Sequence, residues 1–260
     1  MKAVLIAIVL IVLASVLAIA NAPASLVSLA LDELEKRQLL APNIPVIALA
    51  NLEGTVWQGQ ANEAVVTIDD EVVPLGVLSW QLDPMSLLDR RPVVHLKTNA
   101  PEHHLQATVI ASATGDVTIN NLEGRLPVSL LEPWFPLLVE GDIAFVFDHI
   151  IANRQQLLAV DGLLNAEYVA WLGGDYAMPL GSYMMKISLH NNQLHININD
   201  FNAGLGISGL LTVNPASGVY QLDATLQARP ELAPEVAESI AWFGRRNSQG
   251  DIVLKNRGRF

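Results

Sequence analysis

Residues 3–20 form an unbroken run of uncharged, mostly aliphatic residues, AVLIAIVLIVLASVLAIA. As a helix, eighteen such residues rise far enough to cross most of the roughly 30 Å hydrocarbon layer of a bilayer. The next pattern is also helical. In residues 25–40, SLVSLALDELEKRQLL, apolar Leu26, Leu29, Ala30 and Leu34 recur at helical spacing opposite Asp32, Glu33, Glu35, Lys36 and Arg37, so this segment predicts an amphipathic helix whose stripe packs on the following domain or on interfacial lipid. Pro42 and Pro45 close it.

From Val46 the period changes from helical to alternating. Short β-branched runs appear at residues 65–68 and 72–73, and Leu78, Trp80 and Leu82 share one face of a candidate strand. Further strands are expected at residues 93–97, 105–111, 117–122 and 141–147. A hairpin is expected where residues 184–190 and 194–200 alternate on either side of Asn191 and Asn192, which tolerate a left-handed turn. Residues 207–213 pair with 219–227 across the turn 214–218. A strand opening of glycine followed by an apolar alternation recurs at Gly141 and Gly250, with looser versions at Gly124, Gly162, Gly209 and Gly218, at spacings too irregular for a solenoid. Two helical interruptions are expected: residues 128–139, broken by Pro133 and Pro136, and residues 234–243, where Pro234 starts a helix, Val236, Ile240 and Phe243 line one face, and Gly244 ends it. About 220 residues after the first two segments suffice for one continuous core.

The apolar run has two readings. Ala20, Asn21 and Ala22 offer the small-x-small pattern of a cleaved secretory signal, but the run exceeds the usual cleaved core of about 7–15 residues and Pro23 follows the would-be cut, so an uncleaved signal anchor fits better. Lys2 and the amino terminus are the only positive groups before it, which leaves the short start in the cytoplasm and exports the rest. The chain has no cysteine, which is compatible with export without arguing for it.

The net charge of −11 is unevenly placed. Residues 245–260 hold five basic side chains against one acid, leaving nine basic and twenty-five acidic residues between Ala3 and Gly244, or −16. Such a body repels nucleic acid, and the basic tail lacks the interleaved aromatics of a single-strand binder.

Candidate chemistry is sparse. His95, His103, His104, His149, His190 and His195 show no metal-ligand spacing, and as exposed strand residues the adjacent His103 and His104 point to opposite faces. Asp69, Asp70 and Glu71 read as a solvated turn. Residues 204–209 formally match G-x-G-x-x-G, yet strand and turn residues follow where the dinucleotide fingerprint needs a helix. No nucleophile elbow or phosphate loop is present, so no enzyme activity, cofactor or metal is expected.

One stretch does carry a signature. The run Gly54, Thr55, Val56, Trp57, Gln58, Gly59, Gln60, Ala61, then Trp80 and Pro84 ahead of Leu87 and Leu88, together with the apolar start and the ending Trp242, Phe243, Gly244, Gly250 and Gly258, resembles the type II secretion system protein N family of bacterial inner-membrane accessory proteins. The resemblance implies a mainly β protein: an N-terminal transmembrane helix followed by a periplasmic domain of curved, mostly antiparallel sheet with a few short helices. Residues 1–22 would be the cytoplasmic start and signal anchor, 23–45 a juxtamembrane helix and linker, and 46–260 the periplasmic β domain. It implies a non-catalytic role in exporting folded proteins, with other inner-membrane secretion components and inner-membrane lipid as partners. Gly54, Trp57, Gly59 and Trp80 are the candidate structural motif, their rings buried in the sheet. Trp242, one residue off the apolar face of the last helix, and Arg245 and Arg246 beyond it are candidate partner contacts, the arginines alternatively capping that helix. The competing function is a membrane-anchored β protein whose open apolar groove binds or transfers lipid; a filled core would speak for the first reading and an open apolar face for the second.

Overall fold

The alternation that begins at residue 46 folds as antiparallel strands joined mostly by short turns. The structure is a computed structural model and describes residues 20–36, 46–68, 71–112, 114–132, 138–153, 155–173, 175–240, 242 and 244–259. The apolar run over residues 3–20 lies outside them except for Ala20, and among the described residues no helix is long and apolar enough to cross a membrane. The chain divides into two compact units, residues 1–101 with 110–113 and residues 102–109 with 114–260.

In the first unit, β1 (Val46–Gly54), β2 (Gln58–Ile68), β3 (Glu71–Leu82) and β4 (Val93–Asn99) form an antiparallel meander in chain order. Its core is Ala24, Ala61 and Trp80, against which Val27, Leu49, Leu52, Val94 and Leu96 pack. Helix α1 (Ser25–Lys36) contributes Val27 to that core, so the buried side of the helix is not the stripe expected from the sequence. Leu26 and Leu29 are exposed, Leu29 by 60%.

The second unit carries β5 (His104–Ala111), β6 (Val117–Pro127), β7 (Val139–Ala152), β8 (Leu157–Trp171), β9 (Met178–His190), β10 (Gln193–Ala203), β11 (Leu205–Asn214), β12 (Val219–Ala228), β13 (Arg245–Arg246) and β14 (Ile252–Arg259). Spatial order follows chain order up to β12, which is followed by β14 and then β13. The expected hairpin is present: His190 pairs with Gln193, and Asn191 and Asn192 sit at φ 51° and 60°, the left-handed pair that matches strand twist. Asn214 shapes the next turn, its side-chain oxygen accepting from the Ala216 and Ser217 amides, and Val213 pairs with Tyr220 as expected.

One buried cluster of this unit forms where α2 (Pro234–Ile240) lays Val236 and Ile240 on Met178, Leu205, Leu232 and Ile252, while Ile143, Val160 and Ala224 are buried outside it. A second small cluster, Ala166, Tyr183 and Ala203, lies beside it. A polar network fixes this end: Arg229 pairs with Asp200 at 2.7 Å and donates to the Ala203 carbonyl, while the Ile207 amide donates to Asp200. Burial, reinforced by the Asp200 charge, holds the Tyr183 phenol well above its ordinary range, so it stays protonated and donates to the Leu205 carbonyl at 3.0 Å. Buried residues thus form separate clusters in place of the expected single continuous core.

Other expectations are corrected. Within the helix expected over residues 128–139, Val128–Leu131 form a 3-10 turn and Val139 belongs to β7; residues 133–137 lie outside the described residues. Asp69 and Asp70 lie outside the described residues, and Glu71 opens β3. His103 is buried ahead of β5, against the expectation of an exposed strand residue, whereas His104 is exposed. Gly204 is followed by β11 and no helix, as the dinucleotide argument required.

Candidate functional site

The residue pattern Gly54-x-x-Trp57-x-Gly59 makes the tight connection from β1 to β2. Gly54 sits at φ +88°, and a Cβ there would come within 2.6 Å of the Gln58 carbonyl oxygen, so glycine is required on both counts. Inside the turn the Thr55 amide donates to the Gln58 carbonyl at 2.8 Å, and the Gln58 amide returns a bond to the Thr55 hydroxyl. Gly59 pairs across the ladder with Trp80 and lies beneath its indole: a Cβ on Gly59 would come 2.5 Å from ring atom Cζ2. The Trp80 indole N–H donates to the Val56 carbonyl at 3.1 Å, giving the buried ring's polar edge a partner.

This turn receives the chain arriving from residue 20. The Val56 amide donates to the Ala22 carbonyl at 2.9 Å, the Ala24 amide donates to the Gly54 carbonyl at 3.1 Å, and Pro23 makes an isolated antiparallel bridge with Thr55. Ala24, 2% exposed, seats against Trp80 and the fully buried Ala61. The motif is therefore a clip: the glycines let two backbones approach, and the indole forms the floor on which the incoming segment rests.

The structure brings Gly54, Gly59 and Trp80 together in one contact set. Trp80 is 7% exposed, whereas Trp57 is half-buried, and its carbonyl accepts from the Leu82 amide at 2.7 Å. Sequence reasoning did not foresee that Ala22, Pro23 and Ala24 contact this turn. Small residues flanking a proline carry no pattern that announces a long-range backbone contact. Downstream, Ser86 is buried, donates to the Asp83 carbonyl and accepts from the Val93 amide, closing the turn that leaves Met85, Leu87 and Leu88 in solvent, Leu88 by 74%.

The remaining candidates belong to the second unit. Trp242 is 90% exposed just past α2. Helix α2 ends at Ile240, earlier than expected, so Arg245 and Arg246 form the short strand β13, paired to Val253 and Ile252 of β14 and exposed. Arg246 donates to the Gly250 carbonyl. The Arg245→Gln, Arg246→Gln double variant is expected to shift folding free energy by no more than about 0.5 kcal/mol, as surface substitutions do, which denaturant titration checks. Elsewhere on this unit Arg125 of β6 bridges Asp142 at 3.3 Å and Glu167 at 2.5 Å, tying three strands on a solvent-facing side where such pairs stabilise modestly. Among the described residues no group of three or more acidic or histidine side chains is placed to hold a metal ion.

Comparison with known proteins gives a pathway for this arrangement. The family model described as type II secretion system (T2SS), protein N matches residues 45–255. The chain is 26% identical over 234 residues to the type II secretion system protein N of Aeromonas hydrophila, covering 85% of this chain and 86% of that protein. No solved structure matches it. With the motif that forms the clip inside the matched region and the match reaching into β14, the chain belongs to the type II secretion system protein N family.

Proposed function

We propose that this chain is a single-pass, non-catalytic inner-membrane accessory of the type II secretion machinery, with its amino terminus cytoplasmic and its β units periplasmic, acting through contacts with other inner-membrane components. The observation that carries this reading is the clip. It fastens residues 22–24, directly after the apolar run, to the β1–β2 turn by two backbone hydrogen bonds and the Ala24–Trp80 contact, so the first β unit is held against the end of the membrane segment. The exposed apolar residues on this same unit, Leu26 and Leu29 of α1 and Met85, Leu87 and Leu88 of the β3–β4 turn, supply surface for a partner or the bilayer interface.

Retention of the anchor is the first consequence. Intact mass and amino-terminal sequencing of protein taken from membranes are expected to give the uncleaved chain; a mature form starting at Pro23 would sink the anchor. The partner reading is tested by placing a photo-crosslinking residue at Leu88, Leu29 or Trp242 in secreting cells. Crosslinks to another inner-membrane secretion component are expected, and crosslinks to lipid alone from all three positions would remove the protein-contact role.

Arg245 and Arg246 give a second handle. If they meet an acidic partner, the double Arg→Gln variant binds detergent-solubilised secretion components more weakly at low salt and like the parent at high salt, because exposed charges are screened beyond about 8 Å at physiological ionic strength. Parent-like affinity at both salt levels dismisses them as contacts.

A further inference from the structure

Strand β14 is paired fully on one side and barely on the other. Toward β12 the ladder runs from Ile252 to Arg259. Away from β12, the short β13 covers Val253 and Ile252, and Gly244 just before it lies against the Val253 carbonyl, 2.5 Å from where its Cβ would stand. Among the described residues nothing pairs with residues 254–259 on that side. In an antiparallel ladder every second residue turns both its N–H and its C=O the same way, so this stretch presents donors and acceptors in alternation along an open edge.

Its side chains alternate as well. Val253, Lys255, Arg257 and Arg259, opposite Thr225, Asp223, Gln221 and Val219, share one face; Ile252, Leu254, Asn256 and Gly258 share the other. Ile252 is buried in the α2 cluster and Leu254 is half-buried, whereas Lys255, Arg257 and Arg259 are exposed. Three cations therefore stand in a row at intervals of about 6.8 Å, two strand residues apart. Lys255 lies 3.9 Å from Asp223, whose carboxylate also accepts from Gln221 at 2.7 Å. Among the described residues Arg257 and Arg259 make no ion pair.

Either feature alone is ordinary, since water satisfies open edges and charge guards them against aggregation. Together they select an occupant. A second copy of β14 does not fit, because antiparallel self-pairing sets cation against cation on one face. The β1 strand of a second copy offers one acid, Glu53, which already accepts from Gln60 and Asn62. An anionic lipid headgroup accepts hydrogen bonds but leaves the outward carbonyls of the edge without a donor. An extended polypeptide with acids at alternate positions meets every demand: its backbone continues the ladder, its acids fall opposite Lys255, Arg257 and Arg259 at a cross-strand distance of about 5 Å, and its intervening apolar residues lie beside Leu254. We infer that residues 254–259 are a docking edge on which an acidic extended segment of another protein adds to the sheet as a strand. The inference rests on the proposal that the β units act through protein contacts, and it concerns other residues than the Arg245 and Arg246 contact.

The test uses the full-length chain in phosphatidylcholine nanodiscs and a short, capped, fluorescent peptide of alternating glutamate and valine, with binding read by anisotropy. Saturable binding is expected, falling roughly tenfold in the Lys255→Gln, Arg257→Gln, Arg259→Gln variant, as the loss of three cross-strand charge pairs implies. Two further peptides carry the same charge but are N-methylated, one at every glutamate and one at every valine. The one whose methyls face β14 is expected to bind the parent chain roughly tenfold more weakly, which tests the added strand even if the triple variant does not fold. Equal binding of all three peptides would overturn the strand and leave a charged patch. Failure of the unmethylated peptide to bind, or unchanged affinity in a triple variant that melts like the parent, would also overturn it. Tighter binding of phosphatidylglycerol vesicles than of the peptide, lost in the triple variant, would assign the row to a membrane surface instead. None of these results bears on salt-dependent binding through Arg245 and Arg246, which is read with other residues and another probe.

Discussion

Trp80→Ala is expected to destabilise the first β unit by about 3–5 kcal/mol, the range for truncating a buried tryptophan. The ring is 7% exposed, covers Gly59, and supports Ala24, Ala61 and Val27. Its removal leaves a void under the incoming segment and takes the indole donor from the Val56 carbonyl. Because Val56 also holds Ala22, the loss should spread to the clip. Hydrogen exchange at the Val56 and Ala24 amides, which bridge the two backbones, is expected to accelerate along with the fall in unfolding free energy. Trp57→Ala is expected to cost less, since that ring is half-buried. Equal costs for the two substitutions, or unchanged exchange at Val56 in Trp80→Ala, would refute the clip as the role of Trp80.

Gly59→Ala carries the second large effect. A methyl there would stand 2.5 Å from Trp80 Cζ2, 2.6 Å from the Glu53 carbonyl oxygen and 2.9 Å from the Thr55 carbonyl oxygen. Two of these neighbours are backbone atoms at the β1–β2 connection, so rotating a side chain does not relieve the clash. The expected cost is about 1–3 kcal/mol, as for overpacking, with the turn forced open. The source of the strain can be separated. In a Trp80→Ala background the ring contact is gone and the two carbonyl contacts remain, so Gly59→Ala is expected to cost less there but still to destabilise. Residues in contact couple, and the double-mutant cycle measures that coupling. A strictly additive cycle would mean that Gly59 is not seated under the indole.

The clip also explains why the motif was legible and its use was not. Trp57, Gly54, Gly59 and Trp80 stand out because tryptophan and glycine are extreme in size, and their spacing suggested close approach in a sheet. Which ring is buried depends on strand register. Register pairs Gly59 with Trp80, leaving Trp57 half-buried at the turn. That the approaching partner is the backbone of residues 22–24 depends on a contact thirty residues distant in sequence, carried by main-chain groups that every residue possesses.

Strand β8 shows the same limit. It was marked only as a loose strand opening at Gly162, because Gly162 and Ala166 occupy positions where alternation calls for large apolar residues. The reason is across the ladder: a Cβ on Gly162 would strike the Phe147 ring, so the apolar volume at that point is supplied by the neighbouring strand. In α1 the leucine stripe was plain, yet Leu26 and Leu29 are exposed and Val27 packs against the Trp80 cluster.

By itself the sequence determined the β class, the Asn191–Asn192 hairpin, the helix beginning at Pro234 and the family signature. Each of these is written in local periodicity, in turn residues whose backbone preferences act within four positions, or in rare large and small residues. Tertiary structure alone decided that Ala22, Pro23 and Ala24 dock on the Gly54–Gly59 turn, and that Phe147, Gly162, Ile187, Ile196, Leu211 and Leu222 align into one row across β7 to β12. Both outcomes follow from register and from which surfaces find a covering layer, and those are set by contacts between segments far apart in the chain.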